Sequence, residues 1–333
     1  MIGRSAFLHG LGAAATTVAT GGIDVWEPAT QQIRVLVAAD AGSTPPAVFP
    51  DGTFVFSGRR WRGAPSTVGV PGGGLALVTT IDVDAYLQGV VPLEASPSWP
   101  AAALQAQAVV ARTFALGRRS LSRPYDVRAD DSDQRWGGVD AESPATSAAI
   151  AATRGRTLSY MNAPAAVFYS ACCGGHTADS VATWGGAAFP YLRGVPDPYC
   201  APAPDYRWQR DVPLDRAVAL FGSRTGGTLT AAALGDADAQ GRPRTVVLGG
   251  TTSATLTVAE LRRALGGEIV RSLWLRGFRI DATQAAPRLV IEGSGRGHGV
   301  GLCQWGSRFF ASSGASAADI LAFYFPGTSV SGG

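Results

Sequence analysis

Four residue types in this chain could carry acid–base or covalent chemistry. They are an isolated glutamate, a serine and two histidines in glycine-rich surroundings, and four cysteines. Glu94 closes the apolar run Val90-Val91-Pro92-Leu93 and precedes the turn-rich Ala95-Ser96-Pro97-Ser98-Trp99-Pro100. Apolar neighbours help a carboxyl keep its proton near neutral pH, the state a general acid needs. The plainer reading makes Glu94 the ion-pair partner of Arg112. Ser170, Cys173, His176 and His298 offer a hydrolase its nucleophile and base. No nucleophile-elbow spacing accompanies them, so both histidines also read as braces of their loops. Cys172, Cys173, Cys200 and Cys303 suggest disulfides if the chain is exported. Adjacent Cys172 and Cys173 cannot easily bond each other. The rival is zinc, held by Cys172 or Cys173 with His176 and with Cys200 or Cys303. A buried, inert thiol is the plain reading of Cys303.

These groups need elements to hold them. Asp82 caps a short helix running to about Val91, which leads to Glu94. Residues 101–115, rich in Ala and Val, predict a strong helix with Ser98 as N-cap and Pro100 in the first turn. Gln105 and Arg112 lie seven apart on it, hence on one face. Short strands are expected at 32–37, 54–56 and 75–78, with Asp51-Gly52 as a hairpin turn. The loop 125–140 carries Asp130, Asp131 and Asp133, but lacks the glycine and final glutamate spacing of a calcium hand. Its acids read as solvated. Ser143-Pro144 opens a helix to about Thr153. Segments 156–160 and 165–170 predict a hairpin whose second arm runs into Ala171-Cys172-Cys173-Gly174-Gly175-His176-Thr177. Glycines after a strand let backbone and a bound partner approach closely. The stretch 293–307 sets His298 among Gly293, Gly295, Gly297, Gly299 and Gly301, which predicts a tight loop. It lacks the βαβ context and acidic ribose ligand of a dinucleotide site. About 211–290, a helix from 212–215, a strand at 245–248 and a helix at 257–265 are expected, with no evident chemistry.

The 333-residue chain is 46% hydrophobic and 16% charged, which allows a sizeable core. Its 43 Gly and 21 Pro favour turns and short strands over a helical bundle. All 28 basic residues are arginine, which removes Schiff-base lysine and phosphate-loop lysine chemistry. A net charge of +3 is too small to argue for nucleic acid. Residues 1–22 read as an export signal, with a charged start and an apolar run, 11–20, too short to span a membrane. Arg4-Ser5-Ala6-Phe7-Leu8 resembles a twin-arginine signal with Ser5 in place of the second arginine. The expected location is the cell envelope or outside it.

Three blocks, in order, resemble the motifs of the SpoIID/LytB family. The first is Tyr86-Leu87-Gln88-Gly89-Val90-Val91-Pro92-Leu93-Glu94, with Trp99-Pro100 and residues 103–113; Gln134 and Trp136-Gly137-Gly138 look like a further family element. The second runs from Ala171 through Trp184-Gly185-Gly186 and residues 190–195 to Asp197-Pro198-Tyr199-Cys200. The third is 293–307, ending in Gln304-Trp305-Gly306, with 319–328 after it. The resemblance implies an α+β, β-rich catalytic domain over 31–330, with short helices and a variable inserted lobe at about 211–290. It implies that Glu94 is catalytic. It places Gln105, Arg112, Gln134, Tyr169, Ser170, Gly174, Gly175, His176, Gly297, His298, Gly299 and Gln304 in or around the substrate site. It favours a Cys173–Cys200 disulfide and no cofactor, with zinc at the Cys172/Cys173/His176 loop as the alternative, because some members carry a metal near it. The implied activity is lytic transglycosylation of peptidoglycan. One acid suffices there, since the 6-hydroxyl of the muramic acid is the attacking group; ordinary glycosidases use two carboxylates. The alternative is a non-catalytic cell-wall module that stimulates an N-acetylmuramoyl-L-alanine amidase.

Overall fold

Alternation of Ile33 and Val35 with more exposed neighbours gives the first strand, β1 (Gln32–Ala38), one face for a core. It belongs to a computed structural model that describes residues 31–70, 73–283 and 286–332. The export-like segment at 1–22 lies outside the described residues. Two units make up the chain: residues 1–168 with 310–333, and residues 169–309. Each mixes helices and strands, so the architecture is α+β as the sequence implied.

In the first unit, β2 (Thr53–Phe56) and β3 (Arg59–Arg62) form a hairpin, followed by β4 (Ala64–Gly69) and β5 (Leu75–Asp82). Then come helices α1 (Val83–Glu94) and α2 (Ala101–Gly117), strand β6 (Val127–Arg128), helix α3 (Pro144–Ala152), and strands β7 (Thr157–Tyr160) and β8 (Ala163–Pro164). The main sheet has the order β4-β5-β1-β6; β1 pairs antiparallel with β5 and parallel with β6. The turn at Asp51-Gly52 reverses the chain as expected, with Phe49 N–H donating to the Thr53 carbonyl at 2.7 Å and Val48 bridging antiparallel to Phe54 of β2; Ser57 and Gly58, both at positive φ, make the next reversal, between β2 and β3. Asp51 also holds the start of β2, accepting from the Thr53 N–H at 3.1 Å.

Helix α1 starts where the sequence placed it. The Asp82 carboxylate accepts from the N–H groups of Asp84 (2.9 Å) and Ala85 (3.2 Å). It runs three residues beyond the expected Val91, with Pro92 in its last turn, and stops where Ala95 turns extended. Ser98 does not cap α2. Pro100 stands at that position without a side-chain cap, and Ser98 bonds Ser96 instead. The core of this unit sets Tyr86, Leu87, Val90 and Val91 of α1 against Ala108, Ala111 and Ala115 of α2, with Ile33, Val35, Leu77 and Ile81 from the sheet. Trp136 is buried between Trp61 and Tyr86, with ring centroids 4.9 and 5.5 Å away. It lies against Gly89, where an added Cβ would come within 2.6 Å of the indole Nε1. Burying such a side chain stabilises the unit by about 1.5–3 kcal/mol, and it fixes the 134–138 loop against α1.

The second unit opens with β9 (Tyr169–Ser170) and α4 (Ser180–Trp184). The expected hairpin partner of β7 is therefore divided. Only β8 pairs back on β7, across Met161 and Asn162 at positive φ, whereas β9 pairs in parallel with β16 (Leu302–Cys303), 133 residues on in the same unit. Between them lie β10 (Trp208–Pro213), α5 (Leu214–Thr225), β11 (Ala231–Leu234), β12 (Thr245–Gly249), β13 (Ser253–Thr257), α6 (Val258–Leu265), β14 (Leu275–Asp281) and β15 (Arg288–Gly293). Two antiparallel sheets, β10-β15-β14 and β11-β12-β13, share a core of Val212, Phe221, Leu248, Leu261, Phe278, Leu289 and Ile291. Thr257 and Glu260 form a reciprocal capping box at the start of α6. Helix α7 (Gln304–Ser312) carries the chain out of this unit. Helix α8 (Ala317–Tyr324) and strand β17 (Ser329–Ser331) belong to the first unit, where β17 pairs antiparallel with β7.

Candidate functional site

Glu94 is the last residue of α1 and is half-buried. Its charge is felt by the buried Tyr86, whose phenol is pushed well above its ordinary value by burial first, then by Asp133 and Glu94. Arg112 is not its partner. The Arg112 side chain is fully buried and donates through Nε (2.7 Å) and Nη2 (2.6 Å) to Asp84 Oδ1. Its remaining donors reach the carbonyls of Arg156 (3.1 Å) and Ile150 (3.3 Å). Burial pulls its pKa down and Asp84 pulls it back up. Arg112 is therefore a brace tying α2 to α1 and α3, not a group that lines a substrate site. Gln134 is corrected in the same way: it is 1% exposed, and its side-chain amide donates to the Ala111 carbonyl at 3.3 Å. Gln105, on the same α2 face as Arg112, remains half-exposed.

In the second unit the two glycine-rich stretches interlock. Cys172 and Arg296 exchange backbone hydrogen bonds of 3.1 and 2.8 Å, and Ala178 N–H donates to the Gly299 carbonyl at 2.8 Å. Gly174 (φ +77°) leaves no room for a side chain, because a Cβ would meet the Ser294 carbonyl carbon at 2.7 Å. A Cβ at Gly297 (φ +95°) would likewise meet the Ser170 Cβ, at 2.9 Å. Ser170 is buried and its Oγ accepts from the Gly299 N–H at 3.1 Å. His298 is buried as well. Its Nδ1 accepts from the Val300 N–H at 3.0 Å, and its ring lies 5.0 Å from that of Trp184. Burial holds its pKa down to about 3, so the imidazole stays neutral. A nitrogen already occupied by backbone and so weakly basic is a poor general base, and Ser170 and His298 brace the loop. His176 is half-buried, with Nδ1 2.6 Å from the Thr177 carbonyl. Gln304 is buried at the start of α7, and Tyr169 is half-buried.

All four cysteines are buried in this unit as free thiols. The Cys173–Cys200 disulfide expected from the resemblance is not formed; the two sulfurs are 3.5 Å apart. Cys173 and Cys200 share their space with Asp197 and Cys303. One donor atom from each of the four lies within 4.8 Å of all the others. Cys173 Sγ donates to Asp197 Oδ2 at 3.1 Å, and Cys303 Sγ accepts from the N–H groups of Cys173 (3.2 Å) and Gly306 (3.3 Å). Burial pushes the Cys173 and Cys303 thiols well up, whereas hydrogen bonds from Cys172, Cys173 and Cys303 hold Cys200 low. This donor set suits a thiophilic divalent cation. A tetrahedral ion with metal–sulfur bonds near 2.3 Å would separate its sulfurs by roughly 3.8 Å. Cys173, Asp197, Cys200 and Cys303 could hold it, and four buried protein ligands would make its role structural. His176, which the sequence offered to zinc, is not in this set.

Sequence reasoning missed Arg242. It lies in the span read as free of chemistry, yet it is 5% exposed and donates to the carbonyls of Cys173 (3.4 Å) and His176 while lying 4.2 Å from the Trp274 ring centroid. Asp197 was likewise seen only as part of a motif. Adjacent Asp-Pro-Tyr-Cys spacing was the available signal, since Asp197 Oδ1 accepts from the Tyr199 (3.0 Å) and Cys200 (3.3 Å) N–H groups.

Comparison with known proteins agrees with these blocks. A family profile described as SpoIID, Stage II sporulation protein, matches residues 72–160, which hold Glu94 and the α1–α2–α3 layer. The chain is 30% identical over 260 residues to an uncharacterized protein of Brachyspira hyodysenteriae, covering 77% of this chain and 68% of that one. The chain belongs to the SpoIID/LytB family. It is 28% identical over 276 residues to Stage II sporulation protein D of Bacillus subtilis, covering 76% of each. It is 26% identical over 293 residues to the Amidase enhancer of Bacillus subtilis, covering 73% of this chain but 40% of that protein. The SpoIID profile ends before the glycine-rich stretches, so the first unit alone carries the profile match.

Proposed function

We propose that this SpoIID/LytB protein is an exported lytic transglycosylase that cleaves the MurNAc–GlcNAc linkage of peptidoglycan, with Glu94 as its acid and then its base. The observation that supports the reading is the SpoIID profile match over residues 72–160, which includes the whole Tyr86–Glu94 block and sets Glu94, half-buried, at the end of α1. In the reaction, Glu94 gives its proton to the glycosidic oxygen as the bond to C1 of MurNAc breaks. The MurNAc O6 then bonds to C1, and its proton passes to the Glu94 carboxylate. The product has a 1,6-anhydro end, no water is consumed, and Glu94 returns to its starting state.

The test is mass spectrometry of peptidoglycan and of amidase-stripped glycan after incubation with the protein. Wild type is expected to release anhydro-muropeptides, and Glu94→Gln to lose about 10²–10⁴ of that rate with an unchanged melting curve. Full activity in Glu94→Gln would remove Glu94 from the chemistry. One relative is named an Amidase enhancer. A wild type that never makes anhydro ends but raises the rate of a cell-wall amidase would replace cleavage with that role.

A further inference from the structure

Two arginines of the second unit converge where no carboxylate answers them. Arg207, just before β10, and Arg276, on β14, both donate to Ser294 Oγ, through Nη1 and Nε, each at 2.9 Å. The acids of this unit that form ion pairs do so with other arginines: Asp205 with Arg271 and Arg296, Glu268 with Arg296, Asp211 with Arg288, and Glu292 with Arg279 at 2.6 Å. Among the described residues, neither Arg207 nor Arg276 is in an ion pair. Burial and then the charge of Arg207 pull the Arg276 pKa down. Like charges held together cost free energy unless an anion joins them.

Both guanidinium groups are already aimed. Arg276 lies 3.7 Å from the centroid of Trp274 and Arg207 lies 4.3 Å from that of Tyr206. Arg207 Nη1 also donates to the carbonyls of Gly174 (3.1 Å) and Tyr206 (3.0 Å), which ties it to the glycine-rich stretch. Together with Trp208, Gln209, Glu292 and Gly293 they line a cavity of about 540 Å³. Trp208 donates to the Gly295 carbonyl at 2.8 Å and covers Gly293, where any side chain would overlap the indole. Stacked, pre-oriented guanidinium groups lose little freedom on binding, and their planar donors match a carboxylate. Glu292 on the same wall disfavours a doubly charged anion such as phosphate.

We propose that Arg207 and Arg276 form a carboxylate-binding subsite for peptidoglycan. The identity of the ligand rests on the peptidoglycan reading above. The carboxylate comes either from the lactyl group of a peptide-free MurNAc or from a stem peptide. Both present a singly charged, planar anion next to an amino sugar, which the cavity can hold.

The test is titration of the full chain by NMR with three probes: N-acetylmuramic acid, muramyl dipeptide and N-acetylglucosamine. Wild type is expected to bind at least one of the two carboxylate probes at least tenfold more tightly than N-acetylglucosamine, with the preference weakening as salt is raised. Stronger binding of N-acetylmuramic acid identifies the lactyl source, and stronger binding of muramyl dipeptide the peptide source. Arg207→Ala/Arg276→Ala is expected to lose that tenfold preference. Arg276→Gln, which keeps polar contact with Ser294 and removes the charge, serves as a milder variant and should weaken it severalfold. Equal binding of all three probes, or an unchanged preference in both variants, overturns the subsite. The titration needs no turnover. A protein that binds N-acetylmuramic acid but makes no anhydro ends keeps the subsite and sinks only the cleavage.

Discussion

Removing the Arg112 side chain should destabilise the first unit far more than removing the charge of Glu94. Arg112 is 0% exposed, and Asp84, its partner at 2.6 Å, is 11% exposed at the side chain. Arg112→Met would leave Asp84 as a buried carboxylate with only the distant Nε of Arg154, 3.6 Å away and 81% exposed, to answer it. It would also strand the carbonyls of Ile150 and Arg156. Breaking one side of a buried pair costs about 3–5 kcal/mol, and in a domain of 150–250 residues each kcal/mol shifts the midpoint by about 2–4 °C. The expected loss is therefore roughly 6–20 °C, read by calorimetry or by circular dichroism. Arg112→Met with Asp84→Leu removes both charges and should recover much of it, because a buried ion pair and a well-packed apolar pair differ little in stability. Glu94→Gln should melt with wild type. A single variant Arg112→Met as stable as wild type would mean that Arg112 is no brace.

The buried, neutral His298 gives an acid sensitivity with a definite sign. Its folded pKa is about 3 against 6.5 unfolded, so its contribution is complete above pH 6.5 and is lost as pH falls toward 3. At roughly 1.36 kcal/mol per unit, the loss reaches about 4–5 kcal/mol. Denaturant melts of wild type and His298→Gln at several pH values should show the variant's curve flatter across that window, and parallel curves would refute it. The thiols offer a third check. Reduced protein should show no reaction with a thiol reagent while folded and four reactive thiols once unfolded in chelator, since all four cysteines are buried and free. Two reactive thiols would mean that a disulfide forms after all.

What could be read in the sequence was local. The Asp82 cap, the alanine-rich α2, the turn before α3 and the glycine stretches around Cys173 and His298 are all short-range patterns, and each lies where those patterns placed it. What could not be read was partnership across distance. The sequence offered Glu94 to Arg112, and only the packing of α1 on α2 gives it Asp84 instead. Cys303 reaches Cys173 because β9 and β16 run side by side, a pairing with no trace in residue spacing. The hairpin expected over 156–160 and 165–170 forms only as far as Ala165, whose N–H donates to the Leu158 carbonyl at 3.0 Å, because β9 pairs with β16 far along the chain.

The span 211–290 shows why absence of a motif is a weak argument for absence of a role. Glycine-rich loops expose carbonyls, and the carbonyls of Cys173, Gly174 and His176 need donors. The span supplies Arg242 for two of them, and Arg207, from the loop before β10, supplies the third. A donor that must reach two carbonyls while lying flat against an indole is best a planar group with several fixed N–H donors, which arginine's guanidinium is and lysine's ammonium is not. Trp274 serves Arg242 and Arg276 together, at 4.2 and 3.7 Å. One aromatic ring thus connects the guanidinium that steadies the Cys173–His176 stretch to the one that faces the cavity. Any anion drawn to Arg276 acts on a side chain packed against the ring that also orders that stretch. The two sheets of this unit are then not a lobe added beside the motifs; they are the scaffold that fixes them.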